Sequence, residues 1–500
     1  MGIVQKDAFR TMLISYLGIV LGYVNKGVLF LIIFTTEQIG LVNLIISLGT
    51  LFAQFANLGT IYTTWKFLPF LKNEERKHHG FLPLMLLIVT IGILVFTLLT
   101  LIFRPQIETM YLEHSAMFVS YYYWFLPIGI SYVIFLVLEM YLRSFYKNII
   151  PVFAYEIVLR LAVTISLVLY YFDFISFDMF VILHSLLYLI PTVILLFYLY
   201  KLGELNLNPS SINISKRFRN ILIQFSAFNY INTLGVVLVG SMDVIMIAQM
   251  IGLEATGVYT TVIFLTSALQ VPYKSIIRVS SPLVADYWKF REFGKMQDLY
   301  QKVSAVGLVI GLGLFCGIWN NIDFLFSFLK PEFQAGIWVF FFLMMGRLID
   351  MYFGINGSIF TTSKKYRYDI LFTIFLIVTV FVLNLIFIPK WGIAGAAIST
   401  SIALIIYNVG RILFVWFAFR IHPFHKNQLY VILLGLVSLM TGWIINTYLL
   451  FDPISNFFVQ SFLVVIVFFL PIYIFKLEPE TIGYFHKGTN FLLSKFRKKR

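Results

Sequence analysis

The sequence predicts an all-α integral membrane protein with about 14 transmembrane helices, and three observations lead there. Of 500 residues, 60% are hydrophobic and only 12% charged, a balance that soluble domains do not show. The apolar residues gather in stretches of roughly 20, the length that crosses a bilayer, with none of the alternation that marks strands. Helices are then the spanning form, because a helix satisfies its own backbone in lipid. Finally, positions recur. Lys26 and Asp243 are 217 residues apart, and the same offset carries Glu37-Gln-Ile-Gly40 onto Glu254-Ala-Thr-Gly257 and Lys147 onto Lys364. The chain reads as a duplicated six-helix unit.

Spans are expected near 12–34, 40–60, 81–103, 118–141, 152–172, 179–200, 221–249, 258–280, 303–322, 336–359, 369–389, 392–416, 428–450 and 456–475. The first is too long for a signal-peptide core and lacks a small-residue cleavage pattern, so it reads as a retained span. Spans 1–6 form an N-terminal lobe, 1–200, and spans 7–12 a C-terminal lobe, 221–420, pseudo-symmetric with it. Between them lies a linker, 201–220, rich in Asn, Ser and basic residues. Six is even, so both lobes enter the membrane in the same direction and form a parallel repeat. Helices 13 and 14, within 421–475, stand outside the repeat, and a basic tail, 476–500, follows. That tail ends Lys495-Phe-Arg-Lys-Lys-Arg500 and reads as an ordinary inside-facing tail or as a surface helix on anionic membrane lipids.

Charge fixes the orientation. With both termini inside, cytoplasmic segments hold 30 Lys and Arg against 10 Asp and Glu. External loops hold only Arg104, Lys330 and Lys390 as bases, against 9 acids. This is a strong positive-inside signal. Both termini are expected in the cytoplasm and the chain in the inner membrane. The net charge of +14 follows from topology and argues for no nucleic-acid partner.

A charge at mid-bilayer depth costs about 2.5–3.5 kcal/mol even on insertion scales, so it must be paired or face water. Span 1 aligns Gly18, Gly22 and Lys26 at four-residue intervals, with Asn25 adjacent. Span 2 carries Asn43, Ser47, Thr50, Gln54 and Asn57 on one helical face. Span 7 carries Asn229, Asn232, Gly240 and Asp243. Span 8 carries Tyr259, Thr266, Gln270 and Tyr273, with Lys274 and Arg278 at its cytoplasmic end. These four spans are the repeat-related pairs. Lys26, Asn25, Asn43, Gln54, Asn57, Asn229, Asn232, Asp243, Gln270, Lys274 and Arg278 are therefore the candidate substrate-binding, cavity-lining residues. Asp243 is also the candidate site for a coupling ion, H+ or Na+. The competing readings are helix packing through small and amide residues and a purely structural Lys26–Asp243 pair. The other intramembrane charges are Glu139, Glu156, Arg160, Arg347, Asp350 and Arg411. Glu156 with Arg160, and Arg347 with Asp350, have the spacing to pair along their own helices. Arg411 has the length to snorkel to the interface.

Enzymatic chemistry is not in evidence. No Gly-x-x-x-x-Gly-Lys-Ser/Thr loop is present. His78-His79 and His422-Pro-Phe-His425 read as surface loops rather than metal ligands. Cys316 is the single cysteine, so no disulfide or cysteine–metal framework is expected, nor any metal or cofactor beyond a coupling ion.

The chain resembles the polysaccharide (oligosaccharide-lipid) flippase family of the multidrug, oligosaccharidyl-lipid and polysaccharide exporter superfamily. Asp243-Val-Ile-Met, Gly252-Leu-Glu-Ala-Thr-Gly257-Val-Tyr259, Pro282-Leu-Val and Asn384-Leu-Ile-Phe-Ile-Pro389-Lys-Trp-Gly392-Ile-Ala-Gly395-Ala-Ala397 carry the resemblance in the second half. Glu37-Gln-Ile-Gly40-Leu and Arg143-Ser-Phe-Tyr-Lys-Asn148 carry it in the first. The resemblance implies two lobes in a V around a central cavity lined by spans 1, 2, 7 and 8. It implies alternating-access transport, with no enzyme activity, of a lipid-linked oligosaccharide across the bacterial inner membrane, for surface polysaccharides such as O-antigen, lipopolysaccharide or exopolysaccharide. Partners would be that substrate, membrane lipids, and a glycan polymerase or glycosyltransferases. Relatives that flip the peptidoglycan precursor use several cavity bases to grip pyrophosphate, whereas here Lys26 stands near the middle and Lys274 and Arg278 at the inner mouth. The alternative within the superfamily is a cation-coupled multidrug exporter.

Overall fold

Apolar runs without partners of their own fold as helices. The structure, a computed structural model, describes residues 2–73, 77–365, 367–449 and 452–478; the side chains of 2–6, 8, 9, 232, 236 and 268 lie outside that description. No strand occurs among the described residues. The basic tail expected at 476–500 falls almost wholly outside them.

The chain divides into two compact units, Met1–Thr261 and Val262–Arg500. The first contains α1 (Arg10–Ile33), α2 (Thr36–Ala56), α3 (Thr60–Leu71), α4 (Phe81–Ile102), α5 (Arg104–Leu112), α6 (Phe125–Ser144), α7 (Ile149–Tyr171), α8 (Phe177–Lys201) and α9 (Lys216–Met250). Then α10 (Leu253–Ala268) runs into the second unit. That unit contains α11 (Val271–Phe290), α12 (Phe293–Trp319), α13 (Ile337–Phe353), α14 (Tyr368–Phe419), α15 (Lys426–Tyr448) and α16 (Pro453–Ile474).

Eleven described helices are long and apolar enough to span a bilayer, or 12 if the bent pair Lys216–Gly235 and Val237–Met250 is one span. This tally does not confirm the expected count of about 14, for two physical reasons. Spans 11 and 12 follow each other without a loop, as two helical arms of the 52-residue α14 that meet at a kink where Gly392 takes φ 59°, ψ −139°. Span 8 is divided at Leu269–Gln270, just ahead of Pro272, leaving α10 with 16 residues.

In the first unit α2 and α6 are central. Both carry long buried faces, and they cross where Gly49 meets Ile128 and Gly129 meets Phe52. Small residues let membrane helices approach closely, where dispersion contacts replace a hydrophobic drive. Thr35 starts α2 with a capping box, accepting from the Gln38 amide while the Gln38 side chain accepts from the Thr35 N–H. Asn57 ends it: its Oδ1 accepts from the Gly59 N–H at 2.7 Å, and Gly59 takes φ 80° to turn the chain into α3.

The duplicated motifs meet. A Cβ on Gly40 would overlap the Leu253 carbonyl, and one on Gly257 would overlap the Thr36 carbonyl. Thr36 and Leu253 are themselves 217 residues apart. Each copy's glycine thus receives the backbone of the other copy's helix start, in a reciprocal contact. α9 then packs along α2.

His78 differs from expectation. It is 4% exposed, and its Nε2 lies 2.6 Å from Glu204 Oε2. Its Nδ1 accepts from the Asn73 N–H, and the neighbouring His79 carbonyl accepts from the Asn213 N–H. The loop before α4 therefore holds the 201–220 segment. Lys77, His78 and His79 all take positive φ to do so, a conformation that costs non-glycine residues about 1–2 kcal/mol each.

Gly257→Leu is expected to prevent the reciprocal crossing and to cost at least about 1–3 kcal/mol as an overpacked site. Gly240, with nothing within 4 Å of a built Cβ, is expected to accept Ala without loss. Thermal aggregation of the two purified variants against wild type checks this, and a Gly257→Leu protein as stable as Gly240→Ala would contradict the packing.

Candidate functional site

In the first unit the polar residues of α1 face those of α2 and α7. α1 contains a π-helical turn at Asn25–Leu29, and α7 contains one at Ala154–Val158. A π turn inserts one residue per turn and re-aims the side chains around it. Lys26 sits in the first, half-buried, and its Nζ donates to Asn43 Oδ1 at 3.0 Å. Asn43 Nδ2 donates to the Ile39 carbonyl at 2.9 Å, which fixes the amide with its oxygen toward the ammonium. The described ion pairs do not include Lys26, so a neutral amide holds this cation.

Asn25 is 4% exposed and fully engaged: Nδ2 donates to the Arg160 carbonyl at 2.9 Å, and Oδ1 accepts from Thr164 Oγ1 at 2.7 Å. Arg160 forms a 2.5 Å ion pair with Glu156, matching the i, i+4 expectation, and also donates to the Gly18 carbonyl. The glycine stripe on α1 has its explanation here. A Cβ on Gly18 would strike Glu156, and one on Gly22 would strike the Arg160 guanidinium. Those glycines make room for an ion pair.

Gln54 is 4% exposed, with its Nε2 unpartnered, and Asn57 is spent on the turn after α2. Asn229 is half-buried and donates to the Phe225 carbonyl at 3.0 Å. The side chain of Asn232 lies outside the described ones. Asp243 is 3% exposed, and its Oδ2 accepts from the Tyr259 hydroxyl at 2.5 Å. Lys26 and Asp243 therefore each have a polar neighbour other than the opposite charge.

In the second unit Gln270 is buried, and its Oε1 accepts from Arg347 Nη1 at 2.9 Å. Lys274 and Arg278 stand four residues apart on α11, and both are exposed. Arg411 corrects the snorkelling expectation. It is 7% exposed and pairs with Asp369 at 2.7 Å, within one element in sequence but across the two arms of α14 in space. Nearby, Asn356 donates to Asn408, which donates to Asp350 at 3.5 Å.

Sequence reasoning missed the Arg411–Asp369 pair because the partners are 42 residues apart, with no local spacing to signal them. It also missed His184, 4% exposed in α8 with both ring nitrogens unpartnered. A lone histidine inside an apolar run was the available signal.

Asp369→Ala would leave a buried guanidinium uncompensated. It is expected to destabilise by about 3–5 kcal/mol, whereas Asp369→Ala with Arg411→Met restores much of the loss. Thermal scans of the single and double variants check this; equal melting of both would contradict a paired role.

A family model described as polysaccharide biosynthesis protein matches residues 4–288. The uncharacterized membrane protein MJ1068 of Methanocaldococcus jannaschii is 24% identical over 419 residues, 76% of this chain and 78% of its own. A lipid II flippase MurJ structure in an inward closed conformation superposes with TM-score 0.70 at 15% identity, covering 94% of this chain and 98% of that one. An inward-facing multidrug resistance MATE family transporter of the MOP superfamily superposes with TM-score 0.63 at 13% identity, covering 80% and 94%. At such identities these likenesses establish the fold.

Proposed function

The chain belongs to the polysaccharide biosynthesis protein family, and from that premise we propose that it is a transporter that moves a polyprenyl-pyrophosphate-linked oligosaccharide from the inner to the outer leaflet of the cytoplasmic membrane. The observation that carries the reading is Lys26, an ammonium within a membrane-crossing helix whose partner is the Asn43 amide at 3.0 Å. A carboxylate partner would hold such a cation closed. An amide satisfies one of its three donors at little electrostatic cost to exchange. A pyrophosphate oxygen offers the charge-assisted bond that the amide does not.

The remaining roles follow from chemistry. Lys274 and Arg278, exposed and on one face of α11, attract the phosphates at the cytoplasmic mouth. Gln54, with its buried donor unspent, and Asn229 replace water around sugar hydroxyls. Asp243, held by Tyr259, serves as the site of a coupling ion, H+ or Na+. Alternating access then exposes the bound headgroup on the outer side while the polyprenyl tail stays in lipid. The product feeds a surface polysaccharide, with a glycan polymerase or glycosyltransferases as neighbours in the pathway. Both termini lie in the cytoplasm.

Lys26→Ala is expected to abolish export, with the lipid-linked intermediate accumulating on the inner leaflet and normal amounts of protein in the membrane. Lys26→Arg is expected to retain part of the activity. Lipid extraction with leaflet-selective sugar labelling measures this. Normal export by Lys26→Ala would overturn the reading, and drug sensitivity without a glycan defect in a deletion strain would favour a multidrug exporter instead.

A further inference from the structure

At the end of the second unit formed by the C-terminus of α12 and the C-terminus of α15 lies a recess of about 420 Å³. It lies between Trp319, Trp338 and Trp443, and Asn320, Asp323, Gln334 and Asn446 supply its polar wall. The sequence places these loops, 320–336 and 449–452, on the side poor in Lys and Arg. We propose that this recess is a binding site for a neutral sugar ring, used by the oligosaccharide on the outer side of the membrane.

Tryptophans alone would mark an ordinary interfacial belt, in which single indoles point out at headgroup level. Here three indoles line one concavity with polar side chains, and two of them, Trp319 and Trp338, are packed against other rings. Trp319 packs at 4.7 Å from Phe341 and at 5.8 Å from Trp338, and it stacks on Phe315. The amides are held as well. Asn446 Nδ2 donates to the Asn320 carbonyl at 3.2 Å, while its Oδ1 accepts from Asn456 at 2.9 Å and from Gln460 at 2.8 Å. Asn320 Nδ2 donates to the Ser438 carbonyl at 3.1 Å. The amide donors of the wall are thus spent within the protein, and the oxygens of Asp323, Gln334 and Asn320 stand beside the three indole N–H groups.

A wall rich in acceptors suits a ligand rich in hydroxyl donors. It is hostile to phosphate, since Asp323 contributes negative charge and no Lys or Arg lines the recess. A pyranose ring matches on both counts. Its C–H face packs on indole and its hydroxyl rim donates to the acceptors. The volume falls near the lower end of small-molecule sites, about 300–1,000 Å³, which is ample for one or two sugar rings.

The proposal rests on the glycolipid reading only for why a sugar is present, and its test is separate. The full chain is placed in phospholipid nanodiscs prepared without sugar detergents, and N,N′-diacetylchitobiose and maltose are titrated by saturation-transfer NMR. At least one is expected to bind saturably, with a Kd of about 1 mM. Trp443→Ala, at an exposed residue outside the core, is expected to weaken that binding at least about tenfold, and Asp323→Asn to weaken it measurably. Trp391→Ala, an exposed indole outside the recess, is expected to leave it unchanged. No saturable binding of either disaccharide, or equal effects of Trp443→Ala and Trp391→Ala, overturns the proposal and leaves an interfacial belt. Sugar binding that survives alongside normal export by Lys26→Ala would instead overturn the transport mechanism and leave the recess standing.

Discussion

A charge inside an apolar bundle must find a partner, and this constraint organises the structure. Arg160 finds Glu156 one turn away, and Gly18 and Gly22 are small so that the pair fits against α1. Arg411 finds Asp369 across the two arms of α14. Lys26 is met by an amide. Two of these cations are neutralised and one is only solvated by protein. On that difference rests the ligand-binding role proposed for Lys26.

The recurrence was legible because Glu and Gly reappear at a constant offset. Its structural meaning was not legible. The recurrence of Glu37-Gln-Ile-Gly40 and Glu254-Ala-Thr-Gly257 reads as a family motif in the sequence. In the structure, the two glycines receive each other's helix starts, and a side chain at either would meet a backbone carbonyl. Conservation of spacing between copies is thus a packing requirement. The helices themselves were legible from hydropathy, but their count was not. Hydropathy registers apolar length, whereas the break at Gly392 and the split before Pro272 depend on backbone conformation.

The polar stripes were half legible. Helical spacing placed Asn25, Asn43, Gln54 and Asn57 correctly on their helices, yet spacing does not distinguish an amide facing a ligand from one satisfying a carbonyl. Asn57 turned out to shape a turn and Asn25 to bind α7, while Asn43 meets Lys26. His78 is the reverse case, a loop residue that proved to be a buried anchor for the linker through Glu204. Pairings between distant segments, such as Arg411 with Asp369, leave no local pattern to read.

The central claim is that water reaches Lys26 within the membrane-crossing helix. Because Cys316 is the single cysteine, a Cys316→Ser background permits a direct measurement: Lys26→Cys exposed to a membrane-impermeant, water-soluble thiol reagent in inverted vesicles, with Lys274→Cys as the positive control. The account predicts that Lys26→Cys reacts, and that a polyprenyl-pyrophosphate sugar slows the reaction. A position 26 that stays unreactive while position 274 is labelled would contradict it.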